Sequence, residues 1–270
     1  MIDDRHIDNS WKSLNFLSRP DLEGAKTEYK EFETLLRTTA TEVHYLPAHD
    51  RVTMDSMYCR DASLATDFGM ILCRMGKEAR IPEPAASRIA FEAAGIPILG
   101  AIEGTGTLEG GDVAWLDAKT LAVGHTYRTN AEGIRQLKAF MEPHDIEVVT
   151  APLPHFRGPS DVFHLMSILS PVDRDLAVVY SPLMPVPFRE LLLSRRFRLV
   201  EVPESEFDSM GCNVLAIGPS KVLMVAGNPV TRARLEQAGC TVFEYQGAEI
   251  SVKGGGGPTC LTRPLKRLLV

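Results

Sequence analysis

Residues Asp112 to Val149, DVAWLDAKTLAVGHTYRTNAEGIRQLKAFMEPHDIEVV, spell out one complete structural unit. Asp112-Val-Ala-Trp-Leu116 and Leu121-Ala-Val-Gly124 are short apolar runs flanking a turn at Asp117 to Thr120, which is a hairpin pattern. Thr129-x-x-Glu132 has the form of a capping box, and the helix it opens carries Ile134, Leu137 and Phe140. Ile146-Glu-Val-Val149 closes the unit as a third strand.

The same order occurs before and after it. Ser63 to Thr66 and Met70 to Cys73 flank Asp67-Phe68-Gly69, followed by a helix at Pro84 to Ala94 and a strand at Ile96 to Leu99. A third copy has strands His164 to Leu169 and Leu176 to Tyr180, a helix at Val186 to Arg195 and a strand at Arg198 to Val202. A fourth has Asn213 to Ile217, Val222 to Val225, a helix at Pro229 to Ala238 and a strand at Thr241 to Tyr245. Hairpins that open near Ser63, Asp112, His164 and Asn213 repeat with a period of about 50 residues, the mark of a modular architecture. A half unit is expected from Cys260 onward. The N-terminal segment, with strands at each end of Trp11 to Leu46 and a helix over Asp21 to Ala40, could complete it. The expectation is an α/β chain of hairpin-helix-strand units, five of them closing a ring as a single domain spanning residues 1–270.

Composition bounds the function. With 44% hydrophobic and 24% charged residues the chain reads as an ordinary globular protein. No apolar run approaches the roughly 20 residues that a bilayer span requires. The polar N-terminus lacks the apolar stretch of a signal peptide, so a cytoplasmic location is expected. Five cysteines, odd in number and without a CxxC pair, read as reduced thiols and neither as disulfides nor as a zinc site. A net charge of −6 without a basic stripe argues against nucleic acid as a partner and suits a cationic small molecule. No metal-binding motif is present, and no cofactor or metal is expected. A homodimer is left open.

The hairpin entrances carry chemistry. They hold Asp61, then Glu109 and Asp112, then His164, then Cys212 and Asn213, then Cys260. Cys260 follows Gly254 to Gly257, Pro258 and Thr259. A glycine run this long serves close backbone approach or unusual φ, which suits a loop that aims a thiol. The alternative of a phosphate loop fails, because Gly-Lys-Ser/Thr entering a helix is missing. His164 opens an apolar strand, a placement that can aim a base, although a satisfied core histidine is the competing reading. Glu109 reads as functional and Asp112 as partly structural. Asp55 and Asp61 could hold a guanidinium in planar contact, and Arg80 and Arg128 a carboxylate. Cys59, Cys73, Cys212 and Cys240 read as structural.

LEGGDV (Leu108 to Val113), FHL (Phe163 to Leu165) and GGGPTC (Gly255 to Cys260), in that order, resemble the guanidino-modifying enzymes of the amidinotransferase superfamily. The closest resemblance is to dimethylarginine dimethylaminohydrolases, and it covers nearly the whole chain. It implies a five-bladed pseudo-symmetric α/β propeller, the pentein fold. It implies Cys260 as nucleophile, His164 as general acid/base, and Glu109 as the group that orients His164 and holds the guanidinium. Asp61 would hold the guanidinium, and Asp55, Arg80 and Arg128 the amino-acid end of the substrate. The implied chemistry is hydrolysis of a methylated arginine to citrulline through a thiouronium adduct, with no cofactor. Two positions depart from this pattern. Met166 stands where deiminases and amidinotransferases have Asp, which fits an N-substituted guanidine. Arg60-Asp61 resembles the deiminases, where methylarginine hydrolases have Glu-Asp. Arginine deiminase, dihydrolase or amidinotransferase activity is therefore the alternative, and a non-catalytic binding protein is a third reading.

Overall fold

Strand β2, Gly69–Leu72, is buried along its whole length between two neighbours, and this is the plan on which four small sheets are built. The computed structural model describes residues 3–39 and 42–265. In each sheet the first two strands form an antiparallel hairpin, and a third runs parallel to the second after a helical crossover. A parallel neighbour needs such a crossover, whereas a hairpin needs only a turn. Burial on both faces explains why the middle strands read as unbroken apolar runs.

The contacts divide the chain into two compact units. One comprises Leu46–Leu165 with Cys260–Val270. Its first sheet joins β1 (Ser63–Thr66), β2 and β3 (Ile98–Ala101), with helix α3 at Glu83–Ala93. Its second joins β4 (Val113–Trp115), β5 (Thr120–His125) and β6 (Glu147–Pro152), with helix α4 at Ala131–Met141. Leu121, Val123, Leu137 and Met141 form part of one core cluster with Leu64, Ile71 and Leu108. Removing a side chain such as Leu137 there costs about 2–5 kcal/mol. The hairpin turn before β2 requires its glycine. Gly69 has φ +131°, and a Cβ would stand 2.8 Å from the Pro97 carbonyl oxygen.

After Thr259 the chain runs beside Cys59 and Arg60, where Cys260 O accepts from Arg60 N at 3.1 Å. Leu265 packs on Ala65, Met70, Leu72 and Phe91. The half unit expected from Cys260 forms no strand within the described residues.

The other unit comprises Met1–Tyr45 with Met166–Thr259. Its sheets are β7 (Leu169–Asp173), β8 (Leu176–Val179), β9 (Arg198–Glu201) and β10 (Leu215–Gly218), β11 (Lys221–Val225), β12 (Thr241–Tyr245). Helices α5 (Val186–Ser194) and α6 (Pro229–Gln237) are their crossovers. Two further helices, α1 (Asp4–Ser10) and α2 (Leu22–Thr39), precede them. The helix expected over Asp21 to Ala40 is thus present, with Ala40 outside the described residues. Its Phe32 ring meets Tyr245 at 4.9 Å. Glu28 accepts from the backbone N–H groups of Glu249 and Ile250, so α2 caps the turn that leads to the glycine run.

Three local expectations change. Trp11 to Leu17 and Val43 to Leu46 form no strand; Leu17 N donates to Lys253 O at 2.8 Å and the pairing stops there. Asn130, not Thr129, caps α4, accepting from Gly133 N at 2.9 Å. His164 precedes a short 3-10 turn at Leu165–Ser167, and the strand begins only at Leu169. Among the described residues no helix is long and apolar enough to cross a membrane.

Candidate active site

Glu109 is fully enclosed, and two segments far apart in sequence place it. Leu108 N donates to Arg74 O at 2.9 Å, which draws the residues before β4 alongside the residues after β2. Thr129 Oγ1 accepts from Glu109 N at 3.1 Å. The carboxylate then receives Gly76 N at 2.9 Å and Lys77 N at 3.0 Å on Oε1. Its Oε2 faces Arg128 Nη1 at 3.2 Å and His164 Nε2 at 2.8 Å. Burial alone would raise this carboxyl, yet the bond to His164 and the charges of His164, Arg128 and Arg80 hold it well below the usual carboxylate range.

His164 is equally buried. Burial works to lower its pKa, but the carboxylates of Asp112, Asp61 and Glu109 outweigh that and raise it to about 9. The imidazole is therefore charged at neutral pH. Asp112 sits beneath it, accepting from Leu165 N at 3.0 Å and Thr126 Oγ1 at 2.7 Å. Burial pushes the Asp112 carboxyl up to about 6 against the opposing pull of His164 and these donors.

Asp61 completes the cluster. Its Oδ1 accepts from Gly111 N at 2.9 Å and its Oδ2 pairs with Arg80 Nη1 at 2.5 Å. Gly111 is glycine by necessity, because a Cβ would lie 2.6 Å from His164 Nδ1 and 2.7 Å from Asp61 Oδ1. The backbone passes between acid and base with no room for a side chain. Ligand-type atoms of Asp61, Glu109 and His164 lie within 4.8 Å of one another. Arg80, Arg128 and the imidazole set positive charge against these acids, and the paired groups show the planar contact in which carboxylates hold guanidinium groups.

The remaining expected residues occupy specific positions nearby in the same unit. Arg80 spends Nε and Nη2 on Glu83 at 2.9 and 2.8 Å, and Nη2 also reaches Tyr58 O at 2.8 Å. Arg128 also reaches Asp161 O through Nη2 at 3.4 Å. Asp55 pairs with Lys77 Nζ at 2.6 Å. Cys260 is 8% exposed and bonds through its carbonyl to Arg60, the neighbour of Asp61. The loop before it is fixed by Asn213, whose Oδ1 accepts from Thr259 N at 3.0 Å and Thr259 Oγ1 at 2.8 Å. Gly257 allows that approach, since a Cβ would stand 2.5 Å from Asn213 Oδ1.

Residues 5–267 match the family model described as N,N dimethylarginine dimethylhydrolase, eukaryotic. The chain belongs to the dimethylarginine dimethylhydrolase family. Two relatives are N(G),N(G)-dimethylarginine dimethylaminohydrolases. That of Streptomyces coelicolor is 32% identical over 219 residues, covering 79% of this chain and 76% of its own. That of Pseudomonas aeruginosa is 28% identical over 247 residues, covering 91% and 90%. A solved structure of the Pseudomonas aeruginosa enzyme, a cysteine-to-serine mutant complexed with citrulline, is similar with a TM-score of 0.76 at 27% identity. It covers 89% of this chain and 88% of that one.

For a member of this dimethylarginine dimethylhydrolase family, sequence reasoning overlooked Lys77, Glu83 and Thr126. Lys77 and Glu83 lie in a charge-rich stretch of the kind that usually faces solvent, and the one signal that could have marked them is the glycine before Lys77. A Cβ on Gly76 would fall 2.7 Å from the Arg128 backbone.

Proposed function

We propose that this protein is a cysteine hydrolase that cleaves a C–N bond of dimethylarginine or monomethylarginine, giving citrulline and an alkylamine. The observation that carries the reading is the buried His164–Glu109 pair at 2.8 Å with the Asp61 carboxylate beside it. Asp61 and Glu109 would hold the guanidinium of the substrate. The Cys260 thiolate attacks the guanidinium carbon, forming a C–S bond. His164, charged at neutral pH, donates its proton to the leaving alkylamine nitrogen as the C–N bond breaks, which leaves a thiouronium on Cys260. The neutral imidazole then takes a proton from water, whose oxygen attacks the same carbon. The C–S bond breaks, the thiolate returns, and the protonated ureido product gives up its extra proton to the departed amine or to solvent as citrulline is released. Glu109 orients the imidazole and stabilises its charged form. Asp55, Arg80 and Arg128 would bind the amino-acid end, Arg80 sharing its donors with Asp61 and Glu83.

We also read the four sheets as blades of a five-bladed pentein propeller, with residues 1–270 as one catalytic domain that works in the cytoplasm without a cofactor. Four sheets of identical strand order at a common period support the propeller. A homodimer is compatible with it, and sedimentation of the purified chain decides the assembly.

The function is tested by incubation with dimethylarginine, monomethylarginine, arginine, agmatine and guanidinoacetate, with products identified by mass. Citrulline with dimethylamine is expected, and Cys260→Ser should abolish it. Citrulline with ammonia from arginine alone would make the chain a deiminase, and ornithine with a new guanidino product an amidinotransferase.

A further inference from the structure

Burial by itself makes a poor nucleophile of a thiol. It pushes the thiols of Cys73 and Cys212 well above the ordinary thiol range, and raises that of Cys59 as well. Cys260 is comparably enclosed at 8% exposure, against 4% for Cys73 and 2% for Cys212. A thiolate in such a place needs fixed positive charge beside it.

The structure supplies Arg60 there, with Arg263 behind it. Arg60, 7% exposed, donates its backbone N–H to Cys260 O at 3.1 Å, and its Nη2 reaches Thr262 Oγ1 at 3.3 Å. Its side chain therefore runs along the segment that carries the thiol. Arg263 comes from that same segment and donates through Nη2 to the Arg60 carbonyl. We infer that Arg60, backed by Arg263, is a positioning residue for the nucleophile, its guanidinium holding Cys260 as a thiolate before any substrate arrives. The inference rests on the reading of Cys260 as nucleophile.

The electrostatics of the pair agree. Burial and the charge of Arg263 weaken the Arg60 guanidinium to about 9, while Cys260, Cys59 and Asp61 act to keep it charged. An anion on Cys260 relieves the repulsion between two enclosed cations, so thiolate and guanidinium stabilise one another. Asp61 is the nearby carboxylate, but its oxygens already serve Gly111 N and Arg80. Cys59 is the competing thiol, turned toward Leu261 O at 3.6 Å. Lysine at position 60 would preserve the charge and lose the planar fork; glutamine would lose the charge and keep most of the volume.

The test measures alkylation of Cys260 by iodoacetamide against pH, without substrate, by mass of the labelled peptide. A Cys59→Ser background removes the second thiol. The Cys260 midpoint is expected below the ~8.5 of a free thiol. Arg60→Gln should slow labelling at pH 7 by roughly tenfold, shifting the midpoint up by about one pH unit, and Arg60→Lys should restore most of the rate. An unchanged profile in Arg60→Gln overturns the inference. If that variant does not fold, thiolate absorbance near ~240 nm, taken as the difference between the chain and its Cys260→Ser variant, decides alone: a midpoint above ~8.5 overturns the inference. Labelling needs no turnover. A chain that labels as expected but hydrolyses no guanidine refutes the proposed reaction and leaves the charge assignment standing.

Discussion

Glu109 and Glu206 are both buried glutamates, and they do different work. Glu206 accepts Val230 N at 2.7 Å, Thr231 N at 2.8 Å and Thr231 Oγ1 at 2.7 Å, all from the first turn of α6. It is a helix cap supplied by a distant loop, and its partners stay neutral at every pH the fold survives. Glu109 instead collects two backbone donors, a guanidinium and an imidazole from three separate segments. Burial does not distinguish a working carboxylate from a structural one. The ionisable partners do, because a change in their charge is what chemistry can use.

The comparison breaks most sharply at Gly111. Gly111→Ala would put a methyl 2.6 Å from His164 Nδ1 and 2.7 Å from Asp61 Oδ1, so acid and base must part. Displacements near 1 Å cost about 100-fold in rate. A loss of that size in kcat/KM is expected; full activity would show that the cluster is not the reacting site.

Glu109→Gln sharpens the same point through pH. The imidazolium is the proton donor to the leaving amine, so kcat should fall as pH rises through about 9, where His164 loses its proton. Without the Glu109 charge the His164 pKa falls, while Asp112 and Asp61 still hold it up, so the alkaline limb of the kcat profile should move to lower pH. The sign for stability is the same: a histidine raised on folding contributes fully below about 6.5 and loses that contribution as pH passes about 9. An alkaline limb that stays in place would remove Glu109 from control of His164.

Much of this fold was legible because its middle strands are continuous apolar runs between turn residues, as at Leu121 to Gly124 and Leu176 to Val179. Helix positions followed to within one or two residues from proline and glycine punctuation at Pro229 and Gly239. What failed depended on partners far away in the chain. Thr129 and Asn130 are both good cap residues, and only the fold shows Asn130 at Gly133 and Thr129 at the backbone of Glu109. Trp11 to Leu17 and Val43 to Leu46 have strand-like composition but find no neighbouring strand among the described residues. For the candidate site, residue type and hairpin position brought out Asp61, Glu109, His164 and Cys260. Lys77 and Glu83 were not singled out, and Arg60 only as a departure from the family pattern, since a charged residue shows its burial only once its surroundings are known.

The smallest expected effect lies at the structural member of the pair. Glu206→Ala takes one acceptor from three donors at the start of α6, and Thr231 is fully buried. Losing a cap of this kind costs about 1–2 kcal/mol, and each kcal/mol lowers Tm by about 2–4 °C in a domain of this size. The Glu206 carboxylate is spent on the start of α6, so kcat and its alkaline limb should stay where they are while Tm falls. Thermal unfolding and a pH–rate profile on the same preparation separate the two quantities. A shift of the limb in Glu206→Ala would mean that ionisable partners are not what sets Glu109 apart.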